Sequence, residues 1–406
     1  MDQKELERAK EHFGKLLEQQ QARVDKIKGD TEWVDFTKLP KIQVGFCGGD
    51  GIGPYISDLT KKVVEFLLKK EVEGGRIILK DIEGLTIENR FKHMKAIPDD
   101  VLPELKKCPV ILKGPTETPQ KGDPRGNIES ANVFMRKALD LFANVRPIRV
   151  PEYNIDWVFF RENTEDVYAV GSQGLEAGDL AVDFKIISIP GTQRICRMAF
   201  DYAKKNGINR VTVVTKANVV KTTDGRFSEI AFQTAKDYPG IKLDEWYIDI
   251  MTAKLIDPAR RSEFRVFVLP NLYGDILTDE AAQIQGGVGT AGAANIGRRY
   301  AMFEAIHGSG TRMVQEGRVH YSDPTSIMRS AVLMLEHMGY PALARKFDMA
   351  LDVCAVYEKK VLTTGRSTGA TGEQFTDYVM TTIQDGKLES RWSEYVAKAK
   401  GVGAVS

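Results

Sequence analysis

Residues 42–54 have the sequence IQVGFCGGDGIGP. The apolar run Ile42–Cys47 predicts a short strand, and the glycine-rich stretch Gly48–Pro54 predicts a turn that leads into a helix. The glycines stand at positions 48, 49, 51 and 53, which is not the G-x-G-x-x-G spacing of a dinucleotide-binding turn. This segment therefore predicts a strand–turn–helix unit and argues against a Rossmann fold.

Strand-like and helix-like segments alternate along the rest of the chain. Amphipathic helices are predicted at Thr192–Asn206 and Ser326–His337, and the strand-like segments are Arg76–Asp81, Val110–Lys113, Trp157–Arg161, Arg210–Thr215 and Val266–Leu269. This alternation predicts an α/β protein. With 406 residues, the chain is long enough for more than one lobe.

A further amphipathic helix is predicted at residues 3–28, where apolar residues recur at helical spacing and Gly29 provides a stop. Such a stripe indicates burial without identifying the partner. Two interpretations stay open: a helix packed on its own domain, or a helix used in subunit contact.

The composition is that of an ordinary globular enzyme, with 42% hydrophobic and 28% charged residues. The net charge of +1 gives no reason to expect nucleic acid or a membrane as a partner, so an acidic ligand must be held by a local basic cluster. The four cysteines show no C-x-x-C spacing, which argues against zinc and suits a reducing compartment. Because no apolar run reaches the roughly 18 residues of a membrane span and no signal or transit peptide is recognisable, we expect a cytoplasmic protein.

Two carboxylates that follow the predicted strand Val266–Leu269 are candidate metal ligands. Asp275 and Asp279 are four residues apart, so they share a face if the segment is helical. Oxygen ligands on a rigid element suit Mg²⁺ or Mn²⁺. The alternative is structural, an aspartate cap with an acidic first turn.

Three arginines are candidate ligands for an acidic substrate. Arginine binds carboxylates bidentately and keeps its charge, so Arg136, Arg146 and Arg161 could together clamp a di- or tricarboxylate. The alternative is that they are solvated surface residues. Tyr168 and Lys216 each follow a predicted strand, and they could be an acid and a base, or else surface or interface residues.

Six ordered motifs resemble those of the β-decarboxylating dehydrogenases, the family of isocitrate, isopropylmalate, homoisocitrate and D-malate dehydrogenases. The resemblance runs from about Lys41 to Val379 and rests on Gly49–Pro54, Lys113–Pro115, Leu141–Pro147, Arg161–Tyr168, Asn271–Asp279 and Glu304–Ser309. It implies an α/β fold with two domains, a shared mixed sheet and a dimer clasp. The implied divisions are an N-terminal helical extension at 1–40, a large domain of 41–141 and 287–406, and a small domain of 142–286 with the clasp near 166–190.

The resemblance also implies a homodimer whose active sites are shared between subunits. The implied metal ligands are Asp275 and Asp279, with Asp249 from the second subunit. Tyr168 is implied as the acid and Lys216, again from the second subunit, as the base. The implied substrate ligands are Ser130, Asn132, Arg136, Arg146 and Arg161, and the implied cofactor ligands are Thr118, Asn218, Glu304, His307, Gly308, Arg312 and Asp323.

The resemblance further implies which substrate is used. Isocitrate enzymes of the family carry S-x-N-x-x-x-R on the helix of the first clamp arginine, whereas isopropylmalate enzymes carry leucines there. This chain has Ser130, Asn132 and Arg136 in the isocitrate pattern. Oxidative decarboxylation of isocitrate to 2-oxoglutarate is therefore implied, the alternatives being another 3-carboxy-2-hydroxy acid or a non-catalytic regulatory subunit.

The cofactor loop departs from the family pattern. After His307-Gly308-Ser309, where NAD enzymes carry Asp-Ile and NADP enzymes carry Lys-Tyr, this chain has Arg312 and a longer loop. Arginines at 312 and 366 without a matching acid favour the 2′-phosphate of NADP. In the competing interpretation, Glu316 meets the ribose hydroxyls and NAD is bound.

Overall fold

The computed structural model describes residues 2–119, 122–171 and 173–403. Met1, Gln120, Lys121, Ser172 and residues 404–406 belong to the predicted domains or clasp but lie outside the described residues. Two compact units are present. The first comprises residues 1–33, 142–144 and 157–280, and the second comprises residues 34–141, 145–156 and 281–406. The predicted domain limits, which assign 145–156 to the small domain and separate 1–40 as an extension, stay a prediction.

Twelve strands are present in the described residues. In chain order they are β1 (Ile42–Cys47), β2 (Ile77–Asp81), β3 (Val110–Lys113), β4 (Ala143–Val150), β5 (Ile155–Glu162), β6 (Leu175–Ala177), β7 (Leu180–Val182), β8 (Arg210–Thr215), β9 (Lys242–Tyr247), β10 (Val266–Leu269), β11 (Gly292–Ile296) and β12 (Ala301–Ala305).

The α-helices of the described residues occupy most of the connections between strands. They are α1 (Gln3–Gly29), α2 (Gly53–Leu67), α3 (Lys69–Glu73), α4 (Ile87–His93), α5 (Val101–Lys107), α6 (Ala131–Ala138), α7 (Ile189–Lys205), α8 (Thr223–Ala235), α9 (Ile248–Ile256), α10 (Asn271–Gln285), α11 (Thr311–Gln315), α12 (Thr325–His337), α13 (Pro341–Leu351), α14 (Gly372–Gln384) and α15 (Leu388–Gly403).

In the first unit, parallel strands run in the order β5-β10-β8-β9. Strand β10 is buried along its length, as expected of a parallel strand covered on both faces. Phe159 of β5 stacks on Phe267 of β10, with 4.5 Å between ring centroids. Because the strands are parallel, their carboxyl ends lie at one edge, which is where ligands bind in such sheets.

In the second unit, β2-β1-β3-β12 are parallel and β11 is antiparallel to β12. The predicted α/β class with a mixed sheet is confirmed. The predicted strands at Ile42–Cys47, Val110–Lys113, Arg210–Thr215 and Val266–Leu269 have the bounds observed. Strands β4, β9, β11, β12 and the pair β6–β7 were not predicted.

Helix α1 is part of the first unit. A capping box closes its start, since the Asp2 carboxylate accepts from the amide of Glu5 and the Glu5 carboxylate accepts from the amide of Asp2. Leu16 and Ile27 are buried, whereas Phe13 is 43% exposed although its ring lies 5.3 Å from that of Phe184. The helix therefore packs on its own unit, and its use in subunit contact stays a prediction.

The predicted clasp region contains a small antiparallel hairpin. Strands β6 and β7 pair with Leu175 opposite Val182, and every residue of β7 is exposed. Pairing of this hairpin with a second subunit stays a prediction. Among the described residues, no helix combines the length and apolar character needed to cross a bilayer. All four cysteines are buried free thiols.

Candidate active site

Arg161 and Asp275 form an ion pair at the carboxyl edge of the first unit's sheet. Arg161 lies near the end of β5 and is 1% exposed, and its Nη1 donates to Oδ1 of Asp275 on α10. Its Nε and Nη2 donate to Oδ1 of Asn271 at 2.8 and 2.6 Å. The guanidinium is therefore held in a fixed orientation, which suits recognition of a carboxylate.

Gly274 makes this pairing sterically possible. A Cβ atom at this position would lie 2.5 Å from Cγ and 2.7 Å from Cβ of Arg161. Because the Arg161 side chain is buried, it has little room to move away. Helix α10 and strand β5 can approach closely here because Gly274 has no side chain.

Asp275 has no capping role in α10. The first turn of the helix holds no acidic residue, and Oδ2 of Asp166 accepts from the amide of Leu272 at 2.9 Å, which supplies the cap from outside. Asp279 lies one turn after Asp275 and is exposed. The structural alternative, a cap with an acidic first turn, is therefore wrong, and both carboxylates lie on one helical face.

Tyr168 reaches the same carboxylate. Its hydroxyl donates to Oδ2 of Asp275 at 2.9 Å, and the Arg161 guanidinium lies 5.5 Å from the centre of its ring. The side chain is half-buried. A phenol between a carboxylate and a guanidinium is suitably placed for proton transfer.

Lys216 and Asp249 form a second charged pair in the first unit. They follow the adjacent parallel strands β8 and β9, and Lys216 Nζ lies 2.6 Å from Oδ1 of Asp249. The hydrogen bond and charge of Lys216 lower the pKa of Asp249. The Asp249 side chain is 65% exposed, and the amide of Lys216 is held by buried Asp224 at 2.8 Å.

The described residues contain no group of three or more histidines, cysteines, aspartates or glutamates that could hold a metal ion. Asp249 therefore does not join Asp275 and Asp279 in a single chain. The pair on α10 provides carboxylate oxygens, the donor type that Mg²⁺ and Mn²⁺ prefer.

Buried Glu304 is the centre of the candidate site in the second unit. It lies on β12 and accepts from Lys113 Nζ at 3.4 Å, Arg136 Nη2 at 3.1 Å and Asn295 Nδ2 at 2.8 Å. Burial by itself would raise the pKa of Glu304, but the charges of Lys113 and Arg136 and the hydrogen bonds outweigh it and hold the pKa at about 2. The carboxylate is thus ionised and fixes the guanidinium of Arg136.

Arg136 carries a buried donor atom that the protein does not satisfy. Its Nε is buried and has no hydrogen-bond partner among the described residues, and the residue as a whole is 8% exposed. A buried unpaired donor is costly unless a ligand completes it. Arg146 and Arg161 are 6% and 1% exposed, so the alternative that the three arginines are solvated surface residues is wrong.

Ser130 is the N-cap residue of α6, and Asn132 lies in its first turn, one turn before Arg136. The Thr118 hydroxyl donates to Ser130 Oγ at 3.3 Å, and the Thr116 hydroxyl donates to Asn132 Oδ1 at 3.0 Å. The Ser130 side chain does not cap the helix. Its hydroxyl and the amide of Asn132 are thus a polar surface at the start of the helix that carries Arg136, and Asn132 shares a helical face with Arg136.

The glycine-rich turn joins the loops that follow β1, β3 and β12. Gly49 and Gly51 have φ of 73° and 64°, and a Cβ at these positions would overlap the carbonyls of Pro115 and Ser309. The buried Asp50 carboxylate accepts from the amides of Ile87 and Glu117 at 2.6 and 2.7 Å. The turn therefore serves backbone packing, which agrees with the prediction against a Rossmann site.

The remaining predicted cofactor ligands make fewer hydrogen bonds than Glu304 does. His307 Nδ1 lies 2.9 Å from the carbonyl of Gly308, and the Asp323 carboxylate accepts from the amide of Thr325 at 2.8 Å. Arg312 is 85% exposed and donates to Glu316 Oε1 at 2.7 Å. Asn218, two residues after Lys216, is exposed.

The residues that support the site were not predicted from the sequence. Lys113 and Asn295 around Glu304, and Asn271 beneath Arg161, all lie within motifs or strands of the chain but make contacts distant in sequence. Lys113 directly precedes Gly114-Pro115, so its position in a quoted motif was a usable signal. Asn271 begins the motif Asn271–Asp279, so its position was a usable signal too. Asn295 gave none, since an asparagine next to an apolar run has many structural uses.

The family model described as isocitrate/isopropylmalate dehydrogenase matches residues 43–379. The isocitrate dehydrogenase [NADP] of Rickettsia prowazekii is 38% identical over 310 residues, which cover 74% of this chain and 61% of that protein. The chain thus spans less than two thirds of that relative's length. The mitochondrial isocitrate dehydrogenase [NAD] subunit 2 of Schizosaccharomyces pombe is 35% identical over 76% of this chain and 79% of its own length.

A solved structure shows the same relationship. The crystal structure of isocitrate dehydrogenase from Methylococcus capsulatus superposes with a TM-score of 0.73 at 31% identity, covering 85% of this chain and all of that one. The residues matched by the family model, 43–379, include the charged side chains of the candidate site.

Proposed function

The chain belongs to the isocitrate/isopropylmalate dehydrogenase family, and from this premise we propose that it oxidises isocitrate and decarboxylates it to 2-oxoglutarate and CO₂, with hydride transfer to a nicotinamide cofactor. The observation that carries the proposal is the polar surface of Ser130 and Asn132 at the start of the helix that carries Arg136 and its unsatisfied Nε. The charge of Arg136 and the hydrogen-bonding groups of Ser130 and Asn132 suit a substrate with an additional carboxylate.

The same surface disfavours an isopropyl group. An apolar substituent cannot accept a hydrogen bond from the Ser130 hydroxyl or from the Asn132 amide, and donors that find no acceptor in a closed site cost binding energy. A carboxylate can accept hydrogen bonds from both. Arg136, Arg146 and Arg161 supply positive charge for the acidic groups of a tricarboxylate.

Mg²⁺ or Mn²⁺ fits the donor set that this chain offers. Asp275 and Asp279 would be the ligands from one chain, and Asp249 the ligand from a second copy. When bound, the ion supplies Lewis-acid polarisation of the substrate's hydroxyl and carboxylate oxygens. Because Asp275 accepts from Arg161 and Tyr168, its two carboxylate oxygens are already oriented, which supports its proposed use as a metal ligand.

Two side chains move the protons of the proposed reaction. Lys216, from the second copy of the chain, takes the proton of the C2 hydroxyl as the hydride leaves C2. The β-carboxylate then leaves as CO₂, and its bonding electrons stay on the substrate carbon. Tyr168 donates its phenolic proton to that carbon, and the phenolate is reprotonated from solvent.

The nicotinamide cofactor acts as the hydride acceptor. We propose that its ligands are Thr118, Asn218, Glu304, His307, Gly308, Arg312 and Asp323. The named relatives include both NADP- and NAD-linked isocitrate dehydrogenases. Arg312 favours NADP, because a 2′-phosphate would give its guanidinium a charged partner.

Initial rates test the proposal. Isocitrate and 3-isopropylmalate are compared with NADP⁺ and with NAD⁺, in Mg²⁺ and in excess chelator, and the product is identified as 2-oxoglutarate. Isocitrate is expected to give the higher kcat/KM, with no turnover in chelator. The paired variant Ser130→Leu/Asn132→Leu should lose isocitrate turnover. Faster turnover of 3-isopropylmalate by the wild type would overturn the substrate, and no turnover of either acid would overturn the activity.

A further inference from the structure

Helix α1 precedes the part of the chain that matches the family model, which begins at residue 43. It nevertheless contacts two functional segments of the first unit. Arg8 Nη2 donates to the carbonyl of Glu176 in the hairpin at 3.3 Å, and His12 Nε2 lies 2.8 Å from the carbonyl of Gln173. The first half of α1 thus lies along the hairpin.

The second half of α1 supplies a cation to a buried acid. Arg23 Nη2 donates to Oε1 of Glu165 at 2.7 Å, and the Glu165 side chain has no exposed surface, while that of Arg23 is 22% exposed. A carboxylate buried without a partner is costly, so the pairing is a strong constraint on both residues.

Glu165 in turn joins two segments. Its carboxylate accepts from the amide of Ser188 at 2.9 Å and from the Ser188 hydroxyl, which itself caps α7. Gly191 in the first turn of α7 leaves the space that the carboxylate fills, since a Cβ there would overlap it. The Glu165 carbonyl accepts from Asn271 Nδ2 at 3.3 Å.

A second buried acid makes the need for a cation greater. Glu162 accepts from the amides of Thr164 and Glu165 at 2.8 and 2.5 Å and is fully buried. Burial, followed by the charge of Glu165, raises the pKa of Glu162 to about 7, while Arg194 and Arg23 act in the opposite direction. Arg23 thus pairs with Glu165 and, together with Arg194, also favours the ionised form of Glu162.

These contacts lead directly to the proposed acid. Tyr168 lies three residues after Glu165 on the same loop, and its hydroxyl donates to Asp275. Asn271, which holds the Glu165 carbonyl, also accepts from Arg161. Asp166, the residue after Glu165, has φ of 66° and caps α10 by accepting from the amide of Leu272. A displacement of Glu165 would therefore be passed to the Tyr168 loop.

We infer that Arg23 is a positioning residue, which anchors the Tyr168-bearing loop (residues 162–168) through Glu165 from a helix outside the family-matched region. Its catalytic consequence rests on the proposed function, whereas the anchoring itself does not. Arg23 touches neither the proposed substrate ligands nor the α10 carboxylates in any described contact, so its effect would be on geometry.

Hydrogen exchange tests the anchoring without reference to activity. Amide exchange of peptides covering 162–171 and 186–192 is measured in wild type, Arg23→Met and Arg23→Lys, with Arg8→Met as the matched control on the same helix. Arg23→Met is expected to speed exchange of both peptides about tenfold or more, because the buried Glu165 carboxylate loses its ion pair with Arg23. Arg23→Lys and the double variant Arg23→Met/Glu165→Gln should restore most of the protection, and Arg8→Met should leave both peptides unchanged.

Kinetics test the consequence. In Arg23→Met, kcat for isocitrate should fall about tenfold with KM changed less than twofold, and Arg23→Lys should recover most of kcat. Unchanged exchange in Arg23→Met would overturn the anchoring, and faster exchange with unchanged kcat would overturn the positioning role. A wild type without isocitrate turnover would overturn the proposed function instead, and the anchoring would then be decided by the exchange data.

Discussion

The hydroxyl of Tyr168 donates to Oδ2 of Asp275, while the other oxygen of that carboxylate accepts from Arg161. One carboxylate therefore orients both the proposed acid and one of the proposed substrate ligands. The arrangement lies within a single compact unit and comes from three segments, the end of β5, the loop after it and helix α10.

Replacement of Tyr168 by phenylalanine should separate the two halves of the reaction. Tyr168→Phe removes the proton donor and one hydrogen bond, which costs about 1 kcal/mol of unfolding free energy. We expect hydride transfer to be retained better than release of protonated product, as measured by cofactor reduction against 2-oxoglutarate formation in single turnovers. Wild-type rates in both halves would show that Tyr168 has only a structural role.

The metal proposal predicts a specific effect at Asp279. Asp279→Asn should raise the Mg²⁺ or Mn²⁺ concentration needed for half-maximal rate at least tenfold, since each lost charged ligand is worth about 1.4 kcal/mol or more. Folding should be retained because the side chain is exposed. Glu280→Gln, one residue further along α10, is the control. Full activity of Asp279→Asn, or of wild type in chelator, would contradict the assignment.

Shared active sites can be tested by mixing variants. Lys216→Met and Arg136→Ala should each be inactive alone, but hybrid dimers should recover part of the activity, because one of the two sites then combines an intact Lys216 with an intact Arg136. The mixture is refolded or co-expressed with two affinity tags, and the doubly tagged species is assayed. If verified hybrids stay inactive, each site is built from one chain.

The Glu304 network predicts a pH-dependent contribution to stability. Its folded pKa of about 2 lies below the usual glutamate value of 4.5. A lowered folded pKa stabilises the protein fully above the unfolded pKa, and this stabilisation is lost as pH falls from about 4.5 towards 2. Glu304→Gln should therefore destabilise by about 3 kcal/mol at pH 7 and by about 1 kcal/mol less at pH 4.

Urea titrations of wild type, Glu304→Gln and the exposed control Glu389→Gln measure this effect. The control should show the same unfolding free energy as wild type at both pH values. Equal destabilisation by Glu304→Gln at pH 7 and pH 4 would show that Lys113 and Arg136 do not set the ionisation of Glu304.

Cofactor preference depends on Arg312, which is paired with Glu316. If Arg312 binds a 2′-phosphate, kcat/KM for NADP should exceed that for NAD, and Arg312→Ala should reduce the NADP value about ten- to a hundredfold while leaving NAD nearly unchanged. Glu316→Gln frees the guanidinium and should preserve or raise the NADP value. A wild-type preference for NAD that Arg312→Ala does not alter would show that Arg312 does not read the cofactor.

The elements that sequence predicted well are those with uniform apolar character. Strands such as Val266–Leu269 are buried on both faces, so their composition alone identifies them. Strand β12 was missed because its short apolar run contains Glu304, a residue that would normally indicate exposure. Its burial depends on Lys113 and Arg136, which are 191 and 168 residues away in sequence.

The candidate site was predictable to a similar extent. Helical spacing placed Asp275 and Asp279 on one face, and α10 confirms the helix. Spacing could not show that Asp166 provides the cap. Asp166 lies in a loop, with φ of 66°, and accepts from the amide of Leu272, which is 106 residues later in the sequence. Burial of the arginines was equally invisible, since a guanidinium is buried only where tertiary contacts neutralise it.

Gly274 has a further consequence for how this protein tolerates change. The residue contributes no atom to recognition or chemistry, yet the stem of Arg161 occupies the volume where its side chain would be. A saturation library at position 274 should therefore return almost only glycine under selection for turnover, and also under selection for expression alone, since even a Cβ atom overlaps the buried stem of Arg161. The restriction to glycine at position 274 would then result from the space that the Arg161 side chain occupies, and not from a role of the glycine itself.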